Sequence, residues 1–446
     1  MVHDKGMERQ DVLPFTAEAL AQKPDWLKAR LEWFKDLKFG IILHWGPYCQ
    51  WDCCESWPIS PGDPWARNDR MKCWTSRDKD IARFQRDYWD LNRTFNPVNF
   101  DPDIWADAAA RAGAKYLAFT TKHHDGFCMW DTETTDYRVT APDCPFSASP
   151  RRDIFGEVAR AFQAKGLGVS AYFSKADWHC PYYWAPDRPV LDRGANTLDD
   201  PETWERFVAY THAQIRELTT RYGKIDVLWL DAGWVRDRED IQLDRMIAIA
   251  REAQPGLIVA NRTVGDAYED FVTPEHEIPP EPLPTPWESC LCMGNGWKFS
   301  PPAYVCKPTR EVLGMLVEIV SKGGNFLMGF GPTPEGEFPE SVLRGLAEIG
   351  AWMDVDGEAV YGTRPVAPYA EEDVRFTQKD GWVYAFLMEG DSAELRALRP
   401  AAGEPVSVLG TDEPAQVQPV DGGVRITLPP SASRLPEPRV VKFRQK

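Results

Sequence analysis

Short apolar runs alternate with amphipathic stretches through residue 352 of the chain. That alternation is the signature of a parallel sheet whose strands are joined by crossover helices. The clearest runs are residues 39–44, 115–120, 167–173, 226–230 and 257–260, with shorter ones at 270–273 and 287–290 and a last one at 325–330. Eight strands linked by helices predict a (β/α)8 TIM-like barrel. The helices carry their own punctuation. Asp101 reads as an N-cap with Pro102 at the first helical position, Gly113 closes that helix, and Ile104, Trp105, Ala108 and Ala109 form its buried stripe. Asp200 and Pro201 open a longer helix with Trp204, Phe207, Val208, Ile215 and Leu218 on one face, and another helix spans 309–322. The largest insertion is the Trp- and Cys-rich stretch from Cys49 to Asn96.

From Arg364 the period changes. Residues 383–387, 406–408 and 424–428 read as short strands separated by Gly, Pro and Asp turns, without helical spacing. The expected organisation is therefore a catalytic barrel over 1–360 and a small all-β sandwich over 361–446.

Composition narrows the function. With 51 basic and 68 acidic side chains the formal charge is −17, which argues against nucleic acid and against an anionic membrane surface as partners. No stretch approaches the length of a membrane span. The chain carries 19 Trp, more than a core requires, and indoles stack well on ligands with apolar ring faces such as carbohydrate. About half of them are expected to serve ordinary barrel packing. All ten Cys fall between Cys49 and Cys306 without zinc spacing, and the polar first 30 residues contain no apolar leader segment. Both features predict a cytoplasmic protein in a reducing compartment.

Active sites of such barrels lie at the carboxyl ends of the strands. The first run ends in His44-Trp45-Gly46, and the second enters Lys122-His123-His124-Asp125-Gly126-Phe127. The third ends at Tyr172 with Asp177-Trp178 beyond it, the fourth at Trp229 and Asp231, the fifth at Asn261-Arg262, and the seventh carries Trp287-Glu288. Carboxylates ringed by His and Trp suit an attack on a sugar.

These blocks, in this order, resemble the α-L-fucosidases of glycoside hydrolase family 29. A further block, Gly323-Gly324-Asn325-Phe326-Leu327 followed by Gly331-Pro332 and 356–361, is similar to that family's barrel closure, so the likeness runs over residues 25–365. The resemblance implies that Asp231 is the nucleophile and Glu288 the general acid/base. It also implies that His44, His123, His124, Trp229 and Arg262 bind fucose hydroxyls and that Tyr172 lines the pocket. The family's Glu-Trp pair falls one residue out of its usual spacing, on Glu55 and Trp57. Trp57, Phe127 and Trp234 are candidates to meet the sugar's methyl group, and Glu275 and Glu277 are rivals of Glu288.

A retaining glycosidase needs two carboxyls about 5–5.5 Å apart, one ionised and one protonated. Asp231 would be kept ionised by a neighbouring His or Arg, and Glu288 raised by desolvation. The implied activity is exo-acting, retaining hydrolysis of terminal α-L-fucosyl residues from a fucosylated oligosaccharide or glycoconjugate, through a covalent fucosyl-enzyme, with no cofactor and no metal. A related exo-glycosidase of the α-L-galactosidase type, whose substrate differs by one hydroxyl, and a non-catalytic carbohydrate-binding homologue are the alternatives.

Overall fold

In a computed structural model, residues 16–445 are described except for 52–53, 184–199, 236–239, 263–266, 301–303 and 402. Seven parallel strands form one sheet: β1 (Phe39–Leu43), β2 (Tyr116–Lys122), β3 (Gly168–Ser174), β4 (Val227–Asp231), β5 (Ile258–Asn261), β6 (Glu288–Cys292) and β7 (Asn325–Phe330). They lie in the order β5-β4-β3-β2-β1-β7-β6. Every strand residue is buried, as expected where helices cover one face and the barrel interior the other. The interior is filled by Ile42, Tyr116, Ala118, Tyr172, Val227, Trp229, Ile258, Ala260, Cys290 and Leu327.

The expected sixth strand, 270–273, is not a regular strand. Its segment instead spans the gap between β5 and β6 by isolated bridges, antiparallel at Ala260 and Glu269 and parallel at Val272–Trp287 and Glu275–Cys290. Pro274 removes a donor from this stretch, so a regular ladder cannot form along it. On the β5 side a side chain supplies part of the pairing. The Asp270 amide donates to Val259 O at 2.9 Å, and Val259 N donates back to Asp270 Oδ2 at 2.8 Å. The same carboxylate takes Lys23 Nζ at 3.0 Å and Arg251 at 2.9 Å. One fully buried Asp thus fastens the seam that closes the barrel.

The helix signals read in the sequence recur. Asp101 caps Pro102–Arg111 and Asp200 caps Pro201–Thr220, each accepting a backbone N–H. Thr309–Ser321 is helical, with Lys322 as its C-cap. Ile104 is the correction: it is 56% exposed, and Ala106 takes the expected inward place.

Beyond the helix Glu340–Asp356, eight further strands form two antiparallel sheets. They are β8 (Ala370–Glu371), β9 (Val374–Lys379), β10 (Trp382–Leu387), β11 (Ser392–Leu395), β12 (Ser407–Val408), β13 (Gln416–Val420), β14 (Gly423–Thr427) and β15 (Arg439–Arg444). The larger sheet runs β12-β15-β10-β9-β8 and the smaller β11-β14-β13. The larger sheet is buried on both faces, and the period of two separates them. Val383, Ala385, Leu387, Val441 and Phe443 enter the sandwich core, whereas Tyr384, Phe386 and Val440 join the apolar core shared with the barrel. Trp352 Nε1 donates to Pro438 O at 2.8 Å across this junction.

Asp270→Ala should leave Lys23, Arg251 and the Val259 amide without their shared acceptor. We expect a loss of about 3–5 kcal/mol, the usual cost of breaking a buried ion pair from one side. Calorimetry would record it as a clearly lowered Tm; an unchanged Tm would show that the seam does not depend on this carboxylate.

Candidate active site

Five strand ends and two intervening segments deliver the site. His44 follows β1 and is tied to β7 by His44 N donating to Phe330 O at 3.2 Å. His123 and His124 follow β2, Tyr172 and Ser174 lie on β3, Asp231 ends β4, and Arg262 follows β5 with its amide on Leu230 O at 3.1 Å. The turn after His123 requires Gly126, at φ +81°, because a Cβ there would sit 2.1 Å from an Asp177 oxygen.

Asp231 is the centre. Tyr172 donates its hydroxyl to Asp231 Oδ2 at 2.5 Å, Arg262 donates to Oδ1 at 3.0 Å, and His124 Nε2 lies 3.8 Å from Oδ2. Burial alone would raise this carboxyl. The Arg262 and His124 charges and the Tyr172 hydroxyl outweigh it and hold Asp231 well below the ordinary carboxylate range. It is therefore an anion fixed at the mouth of β4. Arg262 also pairs with Glu275, whose side chain is 35% exposed. One guanidinium thus bridges two carboxylates from different segments.

Two of the imidazoles, His44 and His123, are kept neutral. Burial pushes His44 and His123 well below the usual His value, and each also feels a neighbouring imidazole. His123 Nδ1 is 2.5 Å from Ser56 Oγ, and His124 Nδ1 is 2.7 Å from Ser174 Oγ. His44 Nδ1 is buried with no protein partner among the described residues. That leaves it able to accept from, or donate to, a hydroxyl brought by a ligand. Trp57 closes the same side, its ring centroid 4.9 Å from that of His124 and 6.0 Å from that of Trp234. Trp297 stands 5.2 Å from His44.

Three expected placements change. Glu288 opens β6 rather than ending an apolar run, so it lies at the amino-terminal side of the sheet, away from the strand ends. It points into the barrel one inward position below Cys290, about 6.6 Å lower along the strand, and Cys290 is the residue bridged to Glu275. Its carboxyl is 1% exposed and receives the Tyr116 hydroxyl at 2.5 Å and Trp229 Nε1 at 3.2 Å. A proton donor must reach the leaving oxygen; Glu288 is instead part of the floor. Trp229 is the second change, because its only N–H is committed to Glu288. Its ring supports the site from below, 5.2 Å from the Tyr172 ring and 5.4 Å from the Arg262 guanidinium. Phe127 is the third. It packs against Phe95 and Tyr137 in the barrel's outer core, whereas the other two candidates, Trp57 and Trp234, stand beside His124, as does Trp178.

Glu55 is buried at φ +34° and accepts the Cys54 thiol at 3.0 Å and the Lys298 amide. Its neighbour Ser56 is the residue that touches His123. Ser56, Ser174 and Trp297 are site residues that sequence reading did not single out, and none carries a spacing signal that could have flagged it. Lys122 and Asp125 of the His-His block are structural. Lys122 donates to Asp177 at 3.1 Å, and Tyr88 donates to Asp125 at 2.7 Å.

The α-L-fucosidase family model matches residues 14–358. The tissue α-L-fucosidase of Mus musculus is 27% identical over an alignment covering 93% of this chain and 92% of its own. Among solved structures, α-L-fucosidase isoenzyme 1 from Paenibacillus thiaminolyticus superposes with a TM-score of 0.76 at 30% identity, covering 94% of this chain and all of that one. A Thermotoga maritima α-L-fucosynthase in complex with α-L-Fuc-(1-2)-β-L-Fuc-N3 gives 0.73 at 28% identity, covering 94% and 99%.

The Glu288 floor has a pH signature. Burial, only partly offset by its two hydrogen bonds, raises this carboxyl from 4.5 to about 7. The unfolded chain releases the proton near 4.5 while the fold retains it, so stability falls as pH rises from about 4.5 to 7. Glu288→Gln removes that loss. Its Tm relative to wild type should climb across this window and level off above it, whereas a difference independent of pH would show that the buried carboxyl is already ionised.

Proposed function

Because the chain belongs to the α-L-fucosidase family of glycoside hydrolases, we propose that it releases terminal α-L-fucose with retention, using Asp231 as nucleophile and Glu275 as acid/base. The observation that supports this most is the shared Arg262. It keeps Asp231 ionised and holds a second, solvent-reachable carboxyl beside it, as a double displacement requires. In the first step an Asp231 oxygen bonds to the anomeric carbon, the glycosidic C–O bond breaks, and the Glu275 proton passes to the leaving oxygen. In the second, Glu275 takes a proton from water, the water oxygen bonds to the anomeric carbon, and Asp231 is released as the carboxylate.

Substrate is a fucosylated glycan. His44, whose Nδ1 has no partner among the described residues, His123 and His124 offer hydrogen bonds to sugar hydroxyls. Trp57 and Trp234 offer an apolar surface to the 6-deoxy methyl group. Tyr172 binds Asp231 rather than sugar, and its hydroxyl must stay bound for the nucleophile to remain aligned.

Asp231→Gly should abolish turnover of aryl α-L-fucosides while leaving the circular dichroism spectrum intact, and azide should restore turnover by forming the β-fucosyl azide. Near wild-type hydrolysis in this variant would remove Asp231 from the role. Glu275→Gln should slow fucosides with poor leaving groups by roughly 10²–10⁴-fold, the usual contribution of general acid catalysis, and activated aryl fucosides far less. If Glu288→Gln alone shows that dependence on leaving group, the acid/base assignment reverts to Glu288.

A further inference from the structure

We propose that Trp65 forms a stacking platform for the leaving sugar, a hexopyranose subsite immediately outside the fucose pocket. This deepens the reading above and rests on it. The aromatic path from the nucleophile to solvent is continuous. His124 is 3.8 Å from Asp231, Trp57 is 4.9 Å from His124, and the Trp65 ring centroid lies 5.6 Å from that of Trp57. Burial declines along the same path, from 1% exposure at His124 to 44% at Trp65. A ring linked through the anomeric oxygen of a bound fucose projects toward solvent, and the solvent end of this aromatic path is the Trp65 indole.

An exposed indole face is apolar surface that gains free energy when a ligand covers it. Among the described residues the other exposed Trp is Trp26, which carries the Arg251 guanidinium 5.1 Å from its ring centroid. Among the described residues no cation covers Trp65.

The loop that presents Trp65 is nevertheless rigid. Arg67 donates to the carbonyls of Pro58, Ser60 and Pro61 at 2.9, 2.5 and 3.1 Å, closing the turn on itself. The Trp65 Nε1 donates to Asp63 Oδ1 at 3.2 Å, which fixes the ring's rotation without burying its face. Asp63 is itself 6% exposed, and its amide is bound to Ser60 O at 3.2 Å. An exposed aromatic face held in one orientation has little entropy left to lose, which is the condition for useful binding by a single side chain. The C–H face of a hexopyranose is the surface that matches it.

The test compares two donors that share fucose but differ in what leaves. α-L-Fucosyl fluoride releases an ion without a ring; α-L-fucosyl-(1→2)-galactose and α-L-fucosyl-(1→3)-N-acetylglucosamine release hexopyranoses. Trp65→Ala should lower the ratio of kcat/KM on at least one disaccharide to kcat/KM on the fluoride by about tenfold, and Trp65→Phe should recover part of it. With the fluoride as donor and methyl β-D-galactopyranoside as acceptor, the fraction of fucose transferred to sugar rather than water should fall in parallel. Equal changes on fluoride and both disaccharides, with transfer unaffected, would overturn the subsite and leave the fucosidase reading standing. A wild-type enzyme inert on the fluoride and on both disaccharides would overturn both.

Discussion

The site depends on a guanidinium that serves two acids at once. Arg262 is half-buried, and a cation so far withdrawn from water is tolerated only where its charge and hydrogen-bonding capacity are answered. Asp231 and Glu275 answer it from segments that do not adjoin in the sequence, one at the end of a regular strand and one on the irregular seam. Its Nε remains unpartnered among the described residues, so both contacts are made through the terminal nitrogens. Neither acid can move without altering the electrostatic environment of the other.

Beneath that pair the pocket is built in tiers. Glu288 fixes the Trp229 indole through its N–H, Trp229 stacks under Tyr172, and Tyr172 donates to Asp231. Trp229 points its indole N–H down to Glu288 and offers its ring face to Tyr172, whose hydroxyl points on to Asp231. Such an arrangement sets the position of Asp231 before any ligand arrives, so the nucleophile we propose needs no reorganisation at the moment of attack. The outer helices and the sandwich supply the rigidity around it. The sandwich does so partly by lending Tyr384, Phe386 and Val440 to the core it shares with the barrel.

Much of this was legible in the chain. Apolar runs flanked by caps such as Asp101-Pro102 and Asp200-Pro201 located the strands and helices, and strand ends carrying His, Tyr, Asp and Arg located the pocket. What failed did so for physical reasons. The run 287–290 looked like a strand ending in chemistry, but hydrogen bonding starts the strand at Glu288 and continues it to Cys292. A carboxyl read as lying at the mouth is therefore at the base. The segment at 270–273 looked like an ordinary short strand, and its pairing turned out to require an Asp side chain in place of a ladder bond. Ile104 matched a helical stripe yet faces water, because the helix presents Ala106 and Trp105 inward. Ser56 and Ser174 could not be found at all, since a serine oriented onto an imidazole leaves no periodic trace.

The improvised stave between β5 and β6 has a consequence of its own. Regular strands are locked in register by every neighbour, so Asp231 has nowhere else to go. The segment bearing Glu275 is anchored chiefly at Asp270 and by scattered bridges, with a proline between. Residues can be gained or lost along it without shifting any of the six ladders that join the seven parallel strands. One half of the proposed catalytic pair is thereby welded to the scaffold, while the other rides on the part of the barrel most free to be rebuilt in the course of evolution.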